Sequence, residues 1–307
     1  MASTLPPTAR TGSRRGPTLA ARRVRLAWLY LLPTIVTLVA VAGYPLYRTV
    51  QLSFTDVRLR FPLAPDWVGL DQYAWLLRDP VWWRSVWNTL VFTFVSVGIE
   101  TVLGILIALM VASGLRGKGL MRTAMLVPWA IPGVVAAQMW KWMLNDVYGV
   151  INDLFMRLRL IDEPKAWLAS AALMMPSVIA IDVWKTTPFM ALILLAGLQS
   201  IPQEYYEAAR VDGANAWQRF WRITLPLLAP ALAVALIFRT LDALRVFDMI
   251  FITTGAQIST ITMSVYARQQ LVSFFDLGYG SAVATGIFLV IAFYVAVYLA
   301  LFRKALR

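Results

Sequence analysis

Arg239, Asp242, Arg245 and Asp248 follow one another at steps of three residues through an otherwise apolar stretch. On a helix this spacing makes one slowly rotating stripe with opposite charges adjacent along it. Carboxylates and guanidinium groups make directional, charge-assisted hydrogen bonds, so the stripe suits direct contact with a solute. Asp182, Thr186 and Phe189 stand at i, i+4 and i+7, on one helical face, and add a carboxylate, a hydroxyl and a ring that can stack. With no Cys and no His, the chain has no disulfide, no thiolate nucleophile, no imidazole base and none of the usual zinc sites. No catalytic residue and no metal ligand is expected. A GxxxxGK[ST] sequence is missing too, and with it the phosphate-cradling loop of a P-loop ATPase.

The same residues have plainer readings. The four charges make a self-neutralising ladder that locks neighbouring helices, Asp182 pairs with Lys185, Phe189 is a packed aromatic, and Glu100 is the buried partner of an arginine. Physical cost favours pairing of some kind. A charge at the centre of a membrane helix costs about 2.5–3.5 kcal/mol, whereas a Leu, Ile, Phe or Val returns only about 0.3–0.6 kcal/mol. The charges must therefore turn inward.

The elements that position them are apolar helices. The 307 residues are 60% hydrophobic and 14% charged, an excess of apolar side chains that lipid has to cover. A helix needs about 20 residues to cross the hydrocarbon layer. Six runs qualify: Leu26 to Tyr47, Ser85 to Leu115, Thr123 to Trp140, about Ala166 to Leu198, about Ile223 to Ile252, and Leu277 to Phe302. The fold class is thus all-α integral membrane with six transmembrane helices. Residues 1–25, rich in Arg, Pro, Ser and Thr, read as a disordered tail, and residues 26–307 as the transmembrane domain. The uncharged stretch Met249 to Ala267 reads as an outside loop because of its Thr, Ser, Gln and Gly content. Trp67, Trp75, Trp82, Trp83 and Trp87 suit an interfacial aromatic belt. Gly98 and Gly104 allow close helix approach.

A net charge of +12 would suggest nucleic acid in a soluble protein, but most of the basic residues flank the apolar runs. One set of connections collects the larger share: Arg10, Arg14, Arg15, Arg22, Arg23 and Arg25, then Arg116, Lys118 and Arg122, then Arg210, Arg219 and Arg222, then Arg303, Lys304 and Arg307. The opposite connections hold Arg58, Arg60, Arg78, Arg84, Arg157, Arg159, Lys165 and Arg268. The positive-inside rule then predicts a multi-pass membrane protein with both termini cytoplasmic, and no nucleic-acid partner.

The connection Gln199 to Pro230 is the most informative segment. Ser200 and Gln203 have capping-box spacing, Glu204, Glu207 and Arg210 recur at steps of three, and Gly213 stands where a left-handed turn can stop the helix. Taken alone, the stretch is a helix-turn-helix or a wet surface loop with a weak Glu207–Arg210 pair. Glu207-Ala208-Ala209, Asp212-Gly213-Ala214, Ile223 and Leu225-Pro226 nevertheless resemble, spacing included, the EAA motif of permease subunits in ATP-binding-cassette importers. Val183 to Pro202 and Arg239 to Gly255 resemble the maltose- and trehalose-type sugar permeases, and the resemblance covers roughly residues 26–303.

This resemblance implies the type I importer permease fold. It implies a coupling loop at about residues 200–226, with Glu207, Ala208, Ala209, Asp212 and Gly213 docking on a cytoplasmic ATPase, and Ala208 and Ala209 admitting the partner closely. It points to Asp182, Thr186, Phe189, Asp242 and Arg245 as lining an intramembrane pocket for a di- or oligosaccharide. The implied partners are a second homologous permease, two ATPase subunits that bind the ATP and magnesium, an extracytoplasmic sugar-binding protein, the sugar and membrane lipid. The chain itself would hold no cofactor. Asp and Arg stand where the maltose pattern often has Asn, which leaves another small solute such as glycerol-phosphate open. Two other classes compete: an intramembrane enzyme using Asp182, Asp242 or Asp248 as acid and base, and a passive channel.

Overall fold

The computed structural model describes residues 19–59, 66–113 and 118–302, with the backbone alone for residues 19–22, 118, 122 and 301–302. Residues 1–18 of the expected tail, and Arg10, Arg14, Arg15, Arg60, Arg116, Arg303, Lys304 and Arg307 of the orientation argument, lie outside the described residues. So do the side chains of Arg22, Lys118 and Arg122.

The chain divides into two units, residues 1–51 and 52–307. In the first, α1 (Leu19–Leu38) passes through a π-helical turn (Val39–Gly43) into α2 (Tyr44–Leu52), so helix already covers residues 19–25 of the expected tail. Pro33 lies inside α1, where the Thr37 hydroxyl bonds the Pro33 carbonyl at 2.9 Å. Residues 23–48 are exposed throughout, an apolar surface that needs lipid or protein to cover it.

The second unit begins with α3 (Asp71–Arg78) and α4 (Pro80–Ala112). Asp79 caps α4 by accepting from the Val81 amide at 2.8 Å, and Pro80 takes the first helical position, where no amide is needed. After α4 come α5 (Lys118–Ala130), α6 (Gly133–Met143), α7 (Val150–Arg157) and α8 (Ala171–Gln199). Next are α9 (Gln203–Val211) and α10 (Ala216–Arg219), the latter running through a π-helical turn (Phe220–Thr224) into α11 (Leu225–Ala243). The remainder is α12 (Asp248–Thr253), α13 (Met263–Arg268) with a π-helical turn (Gln269–Ser273), and α14 (Leu277–Phe302).

Among the described residues, five helices are long and apolar enough to cross a membrane, and a sixth crossing exists if α5 and α6 count as one. Those two meet at 90°, so the third apolar run is a broken helix. Pro132 is the cause, because it has no amide to donate and holds the residue before it out of helix.

The core is the packing of α4, α8 and α11, with Phe92, Met190, Leu194 and Leu228 fully buried among them. Small residues set its spacing. A Cβ on Gly104 would come 2.6 Å from Met190 Cγ, and one on Gly197 would come 2.5 Å from Ala231 Cβ. Gly98, also expected at such a contact, faces open space. Trp67, Trp75, Trp83 and Trp87 are exposed as a belt requires, but Trp82 is buried against Gly286 and leaves that set.

The stretch Met249 to Ala267, expected as an outside loop, folds as two short helices joined by turns, and most of it is buried within the chain. Its polar groups are satisfied internally: Asn88 Nδ2 donates to the carbonyls of Ile258 (3.1 Å) and Ile261 (3.0 Å), the Met263 amide to Thr89 Oγ1 (3.0 Å), and Thr254 pairs with Thr260 (2.8 Å). Hydroxyls that look wet in sequence are here the partners that let backbone lie inside a bundle.

Candidate functional site

The expected four-charge stripe does not share a helix. α11 ends at Ala243, residues 244–247 form a turn, and Asp248 opens α12. Only Arg239 and Asp242 belong to α11.

Arg239, buried, is the hub. Its Nε and Nη2 hold both oxygens of Glu100 on α4 at 2.6 and 2.9 Å, Nη2 also bonds Asp182 on α8, and Nη1 reaches Asp242 at 3.0 Å. Thr186 Oγ1 lies within bonding distance of Glu100 Oε1 (2.8 Å) and of the Asp182 carbonyl (2.6 Å). A buried charge has to be paired and hydrogen-bonded to be tolerated, and this network meets that condition across three spans. Glu100 is thus the partner of an arginine, as read from the sequence. Asp182 pairs with Arg239 and not with Lys185. Asp182 and Glu100 are enclosed, whereas the Asp242 side chain remains 70% exposed.

Asp242 faces a cavity of about 320 Å³, at the small end of the roughly 300–1,000 Å³ usual for ligand pockets. Two breaks in helix frame it: the α5–α6 corner, with Trp129 and Gly133, and the α11–α12 turn, with Arg245, Val246 and Phe247. Asp182, Lys185 and Thr186 contribute from α8, and Asp248 from α12. Irregular backbone at membrane depth is tolerated where it lines a cavity or is buried in protein. The broken ends are also capped by cations. Lys185 Nζ bonds the Ile131 carbonyl at 2.8 Å beyond the end of α5, and Lys141 Nζ bonds the Ile252 carbonyl at 2.8 Å near the end of α12.

Of the residues nominated from sequence, Asp182, Thr186, Asp242 and Arg245 meet at this cavity. Phe189 does not line it; the ring stacks on Trp129, with centroids 6.0 Å apart and planes 11° from parallel. The aromatic wall is therefore Trp129 and Phe247, which sequence reasoning missed. Pro128, Pro132 and Gly133 around Trp129 were the signal available. A larger cavity of about 700 Å³ lies at the α3–α4 corner, beside Arg58, Trp75, Arg78 and Tyr279, and contains none of the nominated residues.

The second nominated site is α9 and its turn. Gly213 has φ +79°, the left-handed conformation expected of it, and the Ala214 amide closes the turn on the Ala209 carbonyl at 2.9 Å. Glu207, Ala208, Asp212 and Gly213 are exposed, but Ala209 is buried, so only Ala208 offers a small outward face. Ser200 does not cap α9. Its hydroxyl bonds the Gly197 carbonyl at 2.8 Å, at the end of α8, and α9 starts after Pro202 without a side-chain cap. The capping box falls one helix later, where Asn215 accepts from the Gln218 amide at 2.8 Å and Gln218 answers at 2.9 Å. Glu207 and Arg210 make no ion pair within 4.0 Å among the described residues.

Residues 100–307 match the family described as binding-protein-dependent transport system inner membrane component. The sulfoquinovosyl glycerol transport system permease protein of Agrobacterium fabrum is 40% identical over 91% of this chain and 90% of its own length. The trehalose/maltose transport system permease protein of Thermococcus litoralis is 40% identical over 92% and 95%, and the trehalose transport system permease protein of Mycobacterium tuberculosis 39% over 95% and 93%. Among solved structures, a bacterial ABC transporter that imports the acidic polysaccharide alginate superposes with a TM-score of 0.77 at 28% identity, over 93% of this chain and 98% of that one. The fold is that of a type I importer permease, and the reading as an intramembrane enzyme falls away because the relatives are permeases. The chain belongs to the inner-membrane permease family of binding-protein-dependent ATP-binding-cassette importers.

Proposed function

We propose that this permease forms half of the translocation path for a di- or oligosaccharide of the trehalose or maltose class. It would work beside a second homologous permease, above two ATPase subunits that bind the ATP and magnesium, and below an extracytoplasmic sugar-binding protein. The observation that carries the reading is Asp242: a carboxylate fixed by the buried Arg239 yet open to a cavity with Arg245, Thr186 and Trp129 on its walls. Such a wall offers acceptors, donors and a stacking face to a sugar ring at once. Glu207, Ala208, Asp212 and Gly213 on the exposed side of α9 form the ATPase-docking surface, with Ala209 packing the helix from behind. Both termini lie in the cytoplasm, on the side of that surface.

A second reading, an acidic sugar or a phosphorylated solute such as glycerol-phosphate, is favoured by one observation. Lys185 and Arg245 face the cavity without an ion pair within 4.0 Å among the described residues. Uptake of labelled trehalose, maltose, sulfoquinovosyl glycerol and glycerol-phosphate by membrane vesicles holding the complete transporter separates the two. Glu207→Gln tests the coupling surface: unchanged uptake together with unchanged binding-protein-stimulated ATP hydrolysis would refute it.

A further inference from the structure

Gly213 presents a mechanical problem. A helix that delivers force through a glycine in the left-handed region would pivot there unless something else holds it. Four hydrogen bonds supply the hold. The Tyr206 phenol on α9 lies 3.1 Å from Thr224 Oγ1, which is buried in the π-helical turn at the foot of α11. Thr224 Oγ1 lies 3.4 Å from the Arg219 carbonyl, five residues back and so at the pitch of that turn. A threonine hydroxyl carries one proton, so donating it to the carbonyl leaves Oγ1 as acceptor and makes Tyr206 the donor. The Arg219 guanidinium then reaches back, Nη1 to the Ala214 carbonyl at 2.7 Å, and the Ala214 amide bonds Ala209 on α9 at 2.9 Å.

The circuit is closed: α9, the Gly213 turn, α10, the π-helical turn, and α9 again. Each bond joins a different pair of segments, so α9 cannot swing about Gly213 without breaking at least one of them. π-helical turns recur at functional positions in helices, and this one stands where α10 becomes the span that carries Arg239 and Asp242.

We propose that Tyr206, Thr224, Arg219 and the Ala214 carbonyl form a strut that makes α9 and the foot of α11 move as one body. Displacement of α9 is then delivered to the cavity wall and not lost at Gly213. Tyr206 and Thr224 are positioning residues in this scheme, and it rests on the coupling role proposed above for α9.

The chain contains no cysteine, so single cysteines can report on it. The assembled transporter in lipid nanodiscs is compared as wild type, Tyr206→Phe, Thr224→Val, the double variant and Thr224→Ser. Amide hydrogen exchange over residues 213–224 is expected to rise about two- to tenfold in Tyr206→Phe, the range for loss of one hydrogen bond, and further in Thr224→Val, which deletes two. The double variant should not exceed Thr224→Val, and Thr224→Ser should match wild type. In a Val246→Cys background, the change in maleimide labelling produced by a non-hydrolysable ATP analogue should be lost in Tyr206→Phe, while an Ala208→Cys crosslink to the ATPase persists. Additive exchange effects, or an unchanged labelling response in Tyr206→Phe, overturn the strut. Absence of the Ala208→Cys crosslink in the otherwise wild-type chain overturns the coupling reading beneath it, so the two failures are told apart.

Discussion

The guanidinium of Arg239 grips Glu100 through two nitrogens, at 2.6 and 2.9 Å, and joins α11 to α4 across 139 residues of sequence. With two of its nitrogens so committed, Nη1 is left to hold Asp242 at the cavity. An enclosed pair thereby sets the position of an exposed carboxylate, which links the packing of three spans to the wall of the cavity.

Arg239→Met should leave Glu100 and Asp182 side by side without their cation. Removing one partner of a buried ion pair costs about 3–5 kcal/mol. The variant is expected to accumulate poorly and to unfold at lower temperature in detergent, with part of the loss recovered when Glu100→Leu is added. Wild-type thermal stability in Arg239→Met would contradict the hub.

Asp242→Ala removes a group whose side chain is mostly open, so assembly should change by no more than about 1 kcal/mol. Uptake should nonetheless fall about ten- to a hundredfold, the range for losing a charge-assisted bond to the solute. Transport by vesicles, normalised to the amount of assembled complex, decides the matter; loss of the complex instead would mean that Asp242 serves the structural ladder.

Gly197→Leu should wedge α8 from α11, because the nearest atom to a new Cβ is the backbone-anchored Ala231 Cβ at 2.5 Å. Overpacking of this sort costs about 1–3 kcal/mol. Gly98→Ala, with open space around it, is the matched control and should leave thermal stability unchanged. Equal behaviour of the two variants would argue against the close α8–α11 approach.

Asp79 makes one part of the stability depend on pH. Burial raises its carboxyl, but bonds from the Tyr266 and Tyr279 hydroxyls and the Val81 and Trp82 amides outweigh burial and hold it below its ordinary value of 3.8. A group lowered in the folded state contributes stability that is full above its unfolded pKa and is lost as pH falls through the folded one. The stability advantage of wild type over Asp79→Asn should therefore be constant near neutrality and shrink from about pH 5 downward. A thermal melt series across that window checks it, and an advantage that grows toward acid would refute the assignment.

Much of this was legible in the sequence because it depends on local physics. Apolar length located the spans, the price of intramembrane charge required Glu100 and Arg239 to be paired, and Gly213 marked the turn that only a left-handed residue makes cheaply. Asp182, Thr186, Asp242 and Arg245 were nominated from spacing and resemblance, and they do converge on one cavity.

Tertiary structure decided what local rules cannot. Helical spacing put Arg245 and Asp248 on the same stripe as Arg239, but α11 stops at Ala243 and its freed backbone turns along the cavity. Periodicity is blind to such a break, because the partners that compensate for it come from elsewhere in the chain: Lys185 reaches Ile131 from 54 residues away and Asn88 reaches Ile261 from 173. For the same reason Trp129 replaced Phe189 in the wall, and most of Met249 to Ala267 is buried within the chain. Composition sets how much polar backbone must be satisfied, and only the fold determines which distant side chain satisfies it.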